Sequence, residues 1–238
     1  MYSYKKWFVT AVTASWLIAQ LGCSDNPASS QATSGSVKIS VKGINTGSAA
    51  SVSKINALTT TITSARLVIK KIKFESTLGD SADFKFRQPF VQDLVVGSKL
   101  HEIETVQVPF GSYKESKIKV DGLKAEDGAV FTQNPELQNL SVMVQGFLNG
   151  DQNESFVFTS ELDEEQEREF ATPLVLDQNN PATNIVLTID MDSWFVDKNG
   201  AALDPRMESN RSKIEENIKN SIDVFEDEND DGEKDDDN

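Results

Sequence analysis

Residues 64–74 read SARLVIKKIKF, and this stretch decides the fold. Apolar and polar side chains alternate with a period of two, the spacing of a half-buried strand, and Val68, Ile69 and Ile72 are β-branched. Leu67 and Ile69 share one phase, whereas Ile72 and Phe74 take the other. A strand that changes phase needs a bulge or a strong local twist near Lys70 and Lys71. Upstream, SVKISVKG at 36–43 places Val37, Ile39 and Val41 on one face and Lys38, Ser40 and Lys42 on the other. Downstream, FVQDLVV (90–96), ETVQVPF (104–110), SKIKVDG (116–122), LSVMVQGFL (140–148), SFVFTSEL (155–162), REFATPLVL (168–176) and NIVLTIDM (184–191) continue the series. Asn149-Gly150 is a hairpin turn pair between two of these runs. Eight or nine short strands with turn signals between them, and no helical interludes of the βαβ kind, predict a mainly β fold: an antiparallel β-sandwich over residues 36–208.

Beyond the strands the pattern changes. The segment SWFVDKNGAALDP (193–205) holds Trp194 and a turn at Asn199-Gly200. Ser212 and Glu215 have the spacing of a capping box. Ile214, Ile218, Ile222 and Phe225 then recur at helical spacing, so residues 209–226 are expected to form one C-terminal amphipathic helix lying on the sandwich, with Trp194 packed as core against it.

The chain of 238 residues has a single cysteine, so no internal disulfide staples the fold. That cysteine follows a distinctive N-terminus. YSYKK (2–6) is a short cationic segment, WFVTAVTASWLIA (7–19) is an apolar run, and Gly22 directly precedes Cys23. A membrane-spanning helix needs about 20 apolar residues, and this run is shorter, so residues 1–22 read as a secretory signal peptide. The segment resembles a bacterial lipoprotein signal peptide. That resemblance implies a diacylglycerol on the Cys23 thiol, an acylated new amino terminus, and a protein held on the membrane through lipid. Each buried methylene of such a chain contributes about 0.8 kcal/mol. Ser24, in place of an acidic residue, makes the resemblance lean to the outer membrane of a bacterial cell envelope. With Cys23, the small polar residues SDNPASSQATSG (24–35) form a flexible tether over 23–35.

Formal net charge is −15 at pH 7. Removing residues 1–22, which carry Lys5, Lys6 and no acid, leaves 21 basic and 38 acidic residues and a net charge of −17. Such a surface repels nucleic-acid phosphates and anionic lipid heads, and it attracts divalent cations.

Within the strand region, ITSARLVIKKIKFE (62–75), FVQDL (90–94) and VPFGSYKESKIKVDGL (108–123) together resemble a bacterial envelope-lipoprotein domain of unknown function with an immunoglobulin- or transthyretin-like sandwich. The Pro-x-Gly-x-Tyr turn of that family falls here on Pro109, Gly111 and Tyr113. The resemblance spans roughly residues 36–122. It implies location and fold and no activity, and Tyr113 reads as an aromatic that packs the turn.

Phe225 is followed by EDENDDGEKDDDN. Asp227-x-Asn229-x-Asp231-Gly232 opens like an EF-hand calcium loop, in which oxygen ligands at positions one, three and five converge on a hard cation and the glycine permits a sharp turn. Glu233 would add its backbone carbonyl and Asp235 the ninth position. Position twelve is Asn238 instead of a bidentate glutamate, which brings the loop closer to the short calcium motifs of extracellular repeats. The competing reading of residues 227–238 is a solvated acidic tail.

No nucleophile elbow, zinc-protease helix or phosphate loop occurs. The single histidine, His101, stands beside Glu102 and Glu104 and reads as a surface residue. Asp190 and Asp192 are a weaker candidate for a second cation site. The function expected is therefore non-catalytic: an envelope lipoprotein that binds a protein or glycan ligand through its sandwich loops, with calcium as a stabilising ion. A carboxylate-dependent glycan hydrolase is the alternative, because the chain offers many paired acids.

Overall fold

A computed structural model describes residues 32–46, 58–94 and 100–234. Two sheets face each other across one hydrophobic core. The first has the order β11 (Ile222–Glu226), β10 (Ala182–Asp190), β1 (Ser34–Ile44) and β5 (Leu100–Pro109). The second is built on β2 (Thr60–Ser76), flanked by β6 (Gly111–Val120), β7 (Val142–Leu148), β8 (Asp151–Ser160) and β9 (Glu164–Leu176), with the short β3 (Phe84–Phe86) and β4 (Phe90–Asp93) also on β2. The expected sandwich is present. Among the strands of the described residues one pairing departs from the antiparallel expectation: β1 and β10 run parallel, with Ile39 opposite Ile185 and Val41 opposite Leu187. Strands so far apart in sequence need no tight turn between them, so hairpin geometry places no constraint on their direction.

The register explains the phase change read from residues 64–74. Arg66 is paired on one side with Met143 of β7 and on the other with Asp93 of β4, while Ile72 is paired with Ile118 of β6 and Phe86 of β3. β6 and β7 therefore lie end to end along one edge of β2, and β8 and β9 lie end to end beyond them. β7 pairing ends at Leu67 and β6 pairing begins at Ile69, and the ladder between β2 and β6 slips just beyond this junction, between Ile69 and Lys71. Leu67, Ile69, Ile72 and Phe74 all enter the main core, and Val68 points the other way. There the excursion between β6 and β7, with α1 (Ala129–Gln133), covers it: Val68, Leu123 and Leu137 form a second small cluster. Tyr113 is 1% exposed and donates to the carbonyl of Pro109 at 2.8 Å, tying the β5–β6 corner.

The C-terminal helix is shorter than its sequence pattern. α2 covers Arg211–Asn220, and Ile222–Glu226 is a strand on β10. Ile222 satisfies both a helical and an alternating pattern, but Val224 fits only the latter, and pairing with β10 supplies backbone partners that a continued helix would forgo. Ser212 does not cap the helix. Asn210 holds that position without a side-chain cap, and Glu215 instead accepts from the Ser160 hydroxyl at 2.7 Å. Trp194 is fully buried in the main core with Ile214, Ile218 and Ile222, and its indole N–H donates to Ser221 at 2.8 Å.

Candidate functional site

The outer face of the first sheet carries a polar concavity. It follows from the alternation of β1. Val37, Ile39 and Val41 point into the core, so Ser36, Lys38, Ser40 and Lys42 point out. Asn184 and Val186 of β10 stand beside Lys38 and Ser40. A cleft of about 660 Å³ opens here, floored by β1, β5 and β10 and walled by two loops. That volume is within the range of about 300–1,000 Å³ typical of ligand sites. Its groups are hydroxyls (Ser36, Thr105, Thr183), amides (Asn179, Asn180, Asn184) and carboxylates (Glu226, Asp227, Glu228, Asp230), with Lys38 the single ammonium among the described lining residues. No aromatic ring stands among them, so the cleft offers hydrogen bonds and charge and no stacking platform.

Residues Asp227–Lys234, read from the sequence as a calcium loop or a tail, form one of the walls. Asp227 is 1% exposed. Its Oδ1 accepts from the N–H of Asp231 at 3.2 Å, and its Oδ2 accepts from the N–H of Gly232 at 2.9 Å and from Asn184 at 3.2 Å. Asn229 Oδ1 also accepts from the Asp231 N–H, at 2.9 Å, and Asp231 Oδ1 accepts from the Glu233 N–H at 2.8 Å. Gly232 has φ of 74°, the left-handed region that favours glycine, as the motif requires of its sixth position. The three Asx side chains are thus brought into one loop and share its backbone donors. Each keeps acceptor capacity, since the carboxylates of Asp227 and Asp231 have about four lone-pair sites and the Asn229 carbonyl oxygen has two. Glu233 directs its side chain to Lys42, at 2.5 Å. Asp235 lies outside the described residues, as does Cys23. Among the described residues no three acidic, histidine or cysteine side chains converge as a metal-binding group.

The weaker candidates resolve into local roles. Asp190 Oδ1 accepts from the Asp192 N–H at 3.0 Å and caps the turn that leaves β10. Burial holds the Asp190 carboxyl above its ordinary value, and the Asp192 carboxylate adds to this. Asp192 in turn accepts from the N–H of Thr46 at 3.1 Å and from its hydroxyl at 2.5 Å. His101 lies exposed on β5, opposite Val41. What the sequence did not reveal is the pair of anchors under the acidic loop, Lys42 and Asn184. Alternation assigns both to a polar face, and nothing local indicates that a segment from the far end of the chain covers them.

Comparison with protein-family models, with curated proteins and with solved structures returns no match.

Proposed function

We propose that this protein is a non-catalytic binding module of the bacterial envelope, lipid-anchored through Cys23, with its ligand site in the cleft on the β10–β1–β5 face. One observation carries the reading: the loop bearing the Asp-x-Asn-x-Asp-Gly spacing is a wall of that cleft. Calcium at Asp227, Asn229, Asp231, the Glu233 carbonyl and Asp235 would order this wall, so ion and ligand would act on one element. The lining suits a polar ligand rich in hydrogen-bond donors, a glycan or a protein segment, because carboxylate and carbonyl acceptors outnumber the single ammonium.

Thr105→Arg, an exposed substitution on β5 that fills the cleft, tests the reading. An array of envelope glycans and basic peptides should retain the wild-type protein and release the variant. Equal retention of both would move the site away from the cleft. In cells, Cys23→Ser should shift the protein from the membrane fraction to the soluble fraction or leave it as uncleaved precursor.

Hydrolysis of a glycan is the second reading, favoured by the carboxylates of Glu226, Glu228 and Asp230 on one cleft. It requires wild-type protein to release reducing ends from an envelope glycan and Glu226→Gln with Glu228→Gln to abolish that release.

A further inference from the structure

We infer that residues 227–234 form a strap clasped over the outer face of the first sheet, that Lys42 is its latch, and that release of this latch opens the cleft. The inference rests on the cleft reading only for its consequence; the strap itself rests on its contacts with the sheet. Where β11 ends, the N–H of Asp227 donates to the carbonyl of Asn184 at 3.0 Å, and the Asn184 side chain donates to Asp230 at 2.8 Å. Lys38 pairs with Asp230. Further along β1, the Lys42 ammonium donates to the Gly232 carbonyl at 2.9 Å and to Glu233 at 2.5 Å. Gly232 is buried, and a Cβ added to it would stand 3.4 Å from Leu100 Cδ1 and 3.6 Å from the Lys42 stem.

Between the Lys38 and Lys42 positions lies the row Ser40, Val186 and Phe225, paired across β1, β10 and β11. This row faces away from the main core, yet its members are only 1%, 0% and 7% exposed. The strap spans it, from Asp230 at Lys38 to Gly232 at Lys42, and Glu228 and Lys234 border one crevice with Phe225.

Lys42 does not line the cleft, but Asp227, Glu228 and Asp230 do, and all three belong to the strap. Lys42 is therefore a positioning residue. It is 7% exposed, and its acceptors Gly232 and Glu233 both belong to the strap, so closure buries a cation that the strap neutralises. When the strap lifts, the ammonium returns to water at little cost, while the row beneath loses the part of its cover that the strap supplies, Phe225 keeping β9 residues Glu169–Thr172 along its crevice. The closed state is thus held by an ionic part that salt screens and an apolar part that it does not.

The test is amide hydrogen exchange of the full chain without ligand, which leaves it independent of whether the cleft binds anything. In the wild type, the amides of Asp231, Gly232 and Glu233 should be protected. Lys42→Met keeps the stem and removes the charge. It should speed exchange across 227–234 about tenfold or more while β2 and β6 exchange as before, and Lys42→Arg should restore protection. Raising salt should speed strap exchange in the wild type and speed it less in Lys42→Met, where the more exposed Lys38–Asp230 pair is the ionic contact that remains. If Lys42→Met also loosens β2 and β6, Glu233→Gln repeats the test at a side chain that is 75% exposed, with acceleration again confined to the strap. Exchange of 227–234 at unstructured rates in the wild type, or at wild-type rates in both Lys42→Met and Glu233→Gln, would overturn the inference.

Discussion

Glu75 and Glu115 sit directly opposite each other on β2 and β6, two carboxylates in one cross-strand pair. Their environments drive them apart. Lys73, donating at 2.6 Å, holds Glu75 down to about 2 against the opposing effect of burial, with further help from Lys117. Burial holds Glu115 above its ordinary value, opposed by Lys117 and reinforced by the charges of Glu75 and Glu167. The lysines are engaged from several sides: Lys73 also meets Asp83 at 2.9 Å, and Lys117 meets Glu167.

The pair predicts opposite pH dependences. Glu75 contributes stability that is present above its unfolded value, near 4.5, and is lost as pH falls toward about 2. Glu115 is the reverse case. Its contribution is complete below its unfolded value and is lost as pH rises through its raised folded value, so at neutral pH its charge opposes folding. Glu115→Gln should therefore raise the melting temperature at pH 7 and raise it less at pH 4, whereas Glu75→Gln should lower it at pH 7. Thermal melts across pH 3–8 check both, and an equal effect of Glu115→Gln at the two pH values would show that the pair is not coupled in this way.

Gly146 marks a close approach between β7 and both of its neighbours. It lies between Ile62 of β2 and Phe156 of β8, and a Cβ there would fall 2.1 Å from the Thr61 carbonyl oxygen and 2.9 Å from the Phe156 ring. The carbonyl belongs to strand backbone and cannot swing aside as a side-chain end would. Gly146→Ala should destabilise by about 1–3 kcal/mol, the usual cost of overpacking, and lower the melting temperature by several degrees. An unchanged melting temperature would mean that β7 can move off β2.

Tyr113 separates packing from hydrogen bonding. Its ring packs against Phe74 at a centroid distance of 6.3 Å, and its hydroxyl serves the Pro109 carbonyl. Tyr113→Phe keeps the ring and should cost about 0.5–1.5 kcal/mol. Tyr113→Ala, which empties a site that is 1% exposed, should cost about 3–5 kcal/mol. Denaturant unfolding of the two variants measures the difference, and equal losses would assign the whole effect to the hydroxyl.

The sandwich was legible because its strands obey alternation even where it fails locally: the phase change at Lys70–Lys71 falls at a slip in the β2–β6 ladder, just beyond the point where β7 gives way to β6 along β2. The chain end was less legible for two reasons. Ile214, Ile218 and Ile222 fit one helical stripe, and only tertiary pairing with β10 decides that Ile222 leaves it. The acidic run has the composition of a solvated tail, and among the groups it packs against is a lysine about 190 residues away. A contact of that kind leaves no trace in local spacing. β3 escaped notice because its three residues are too few to show a period.

The acidic segment also predicts a response to calcium. Asp227–Lys234 packs five carboxylates into eight residues, and its two β1 partners, Lys38 and Lys42, neutralise Asp230 and Glu233. Asp227 and Asp231 are engaged by backbone N–H groups, which satisfy acceptors without cancelling charge. A divalent cation would cancel both charges at once, at a site expected to be weak, with Kd of about 10⁻⁴ to 10⁻³ M as in extracellular modules. Binding to the native state alone stabilises by RT ln(1 + [L]/Kd), so calcium at about 100 times Kd adds about 2.7 kcal/mol. The melting temperature should therefore rise with calcium, and magnesium should reproduce little of the rise because it gives up its waters reluctantly and demands a tighter octahedron. Asp227→Ala with Asp231→Ala should remove the calcium response. Calorimetry on both proteins at low and at millimolar calcium is the measurement, and an equal response in wild type and variant would place the stabilisation elsewhere on this acidic surface.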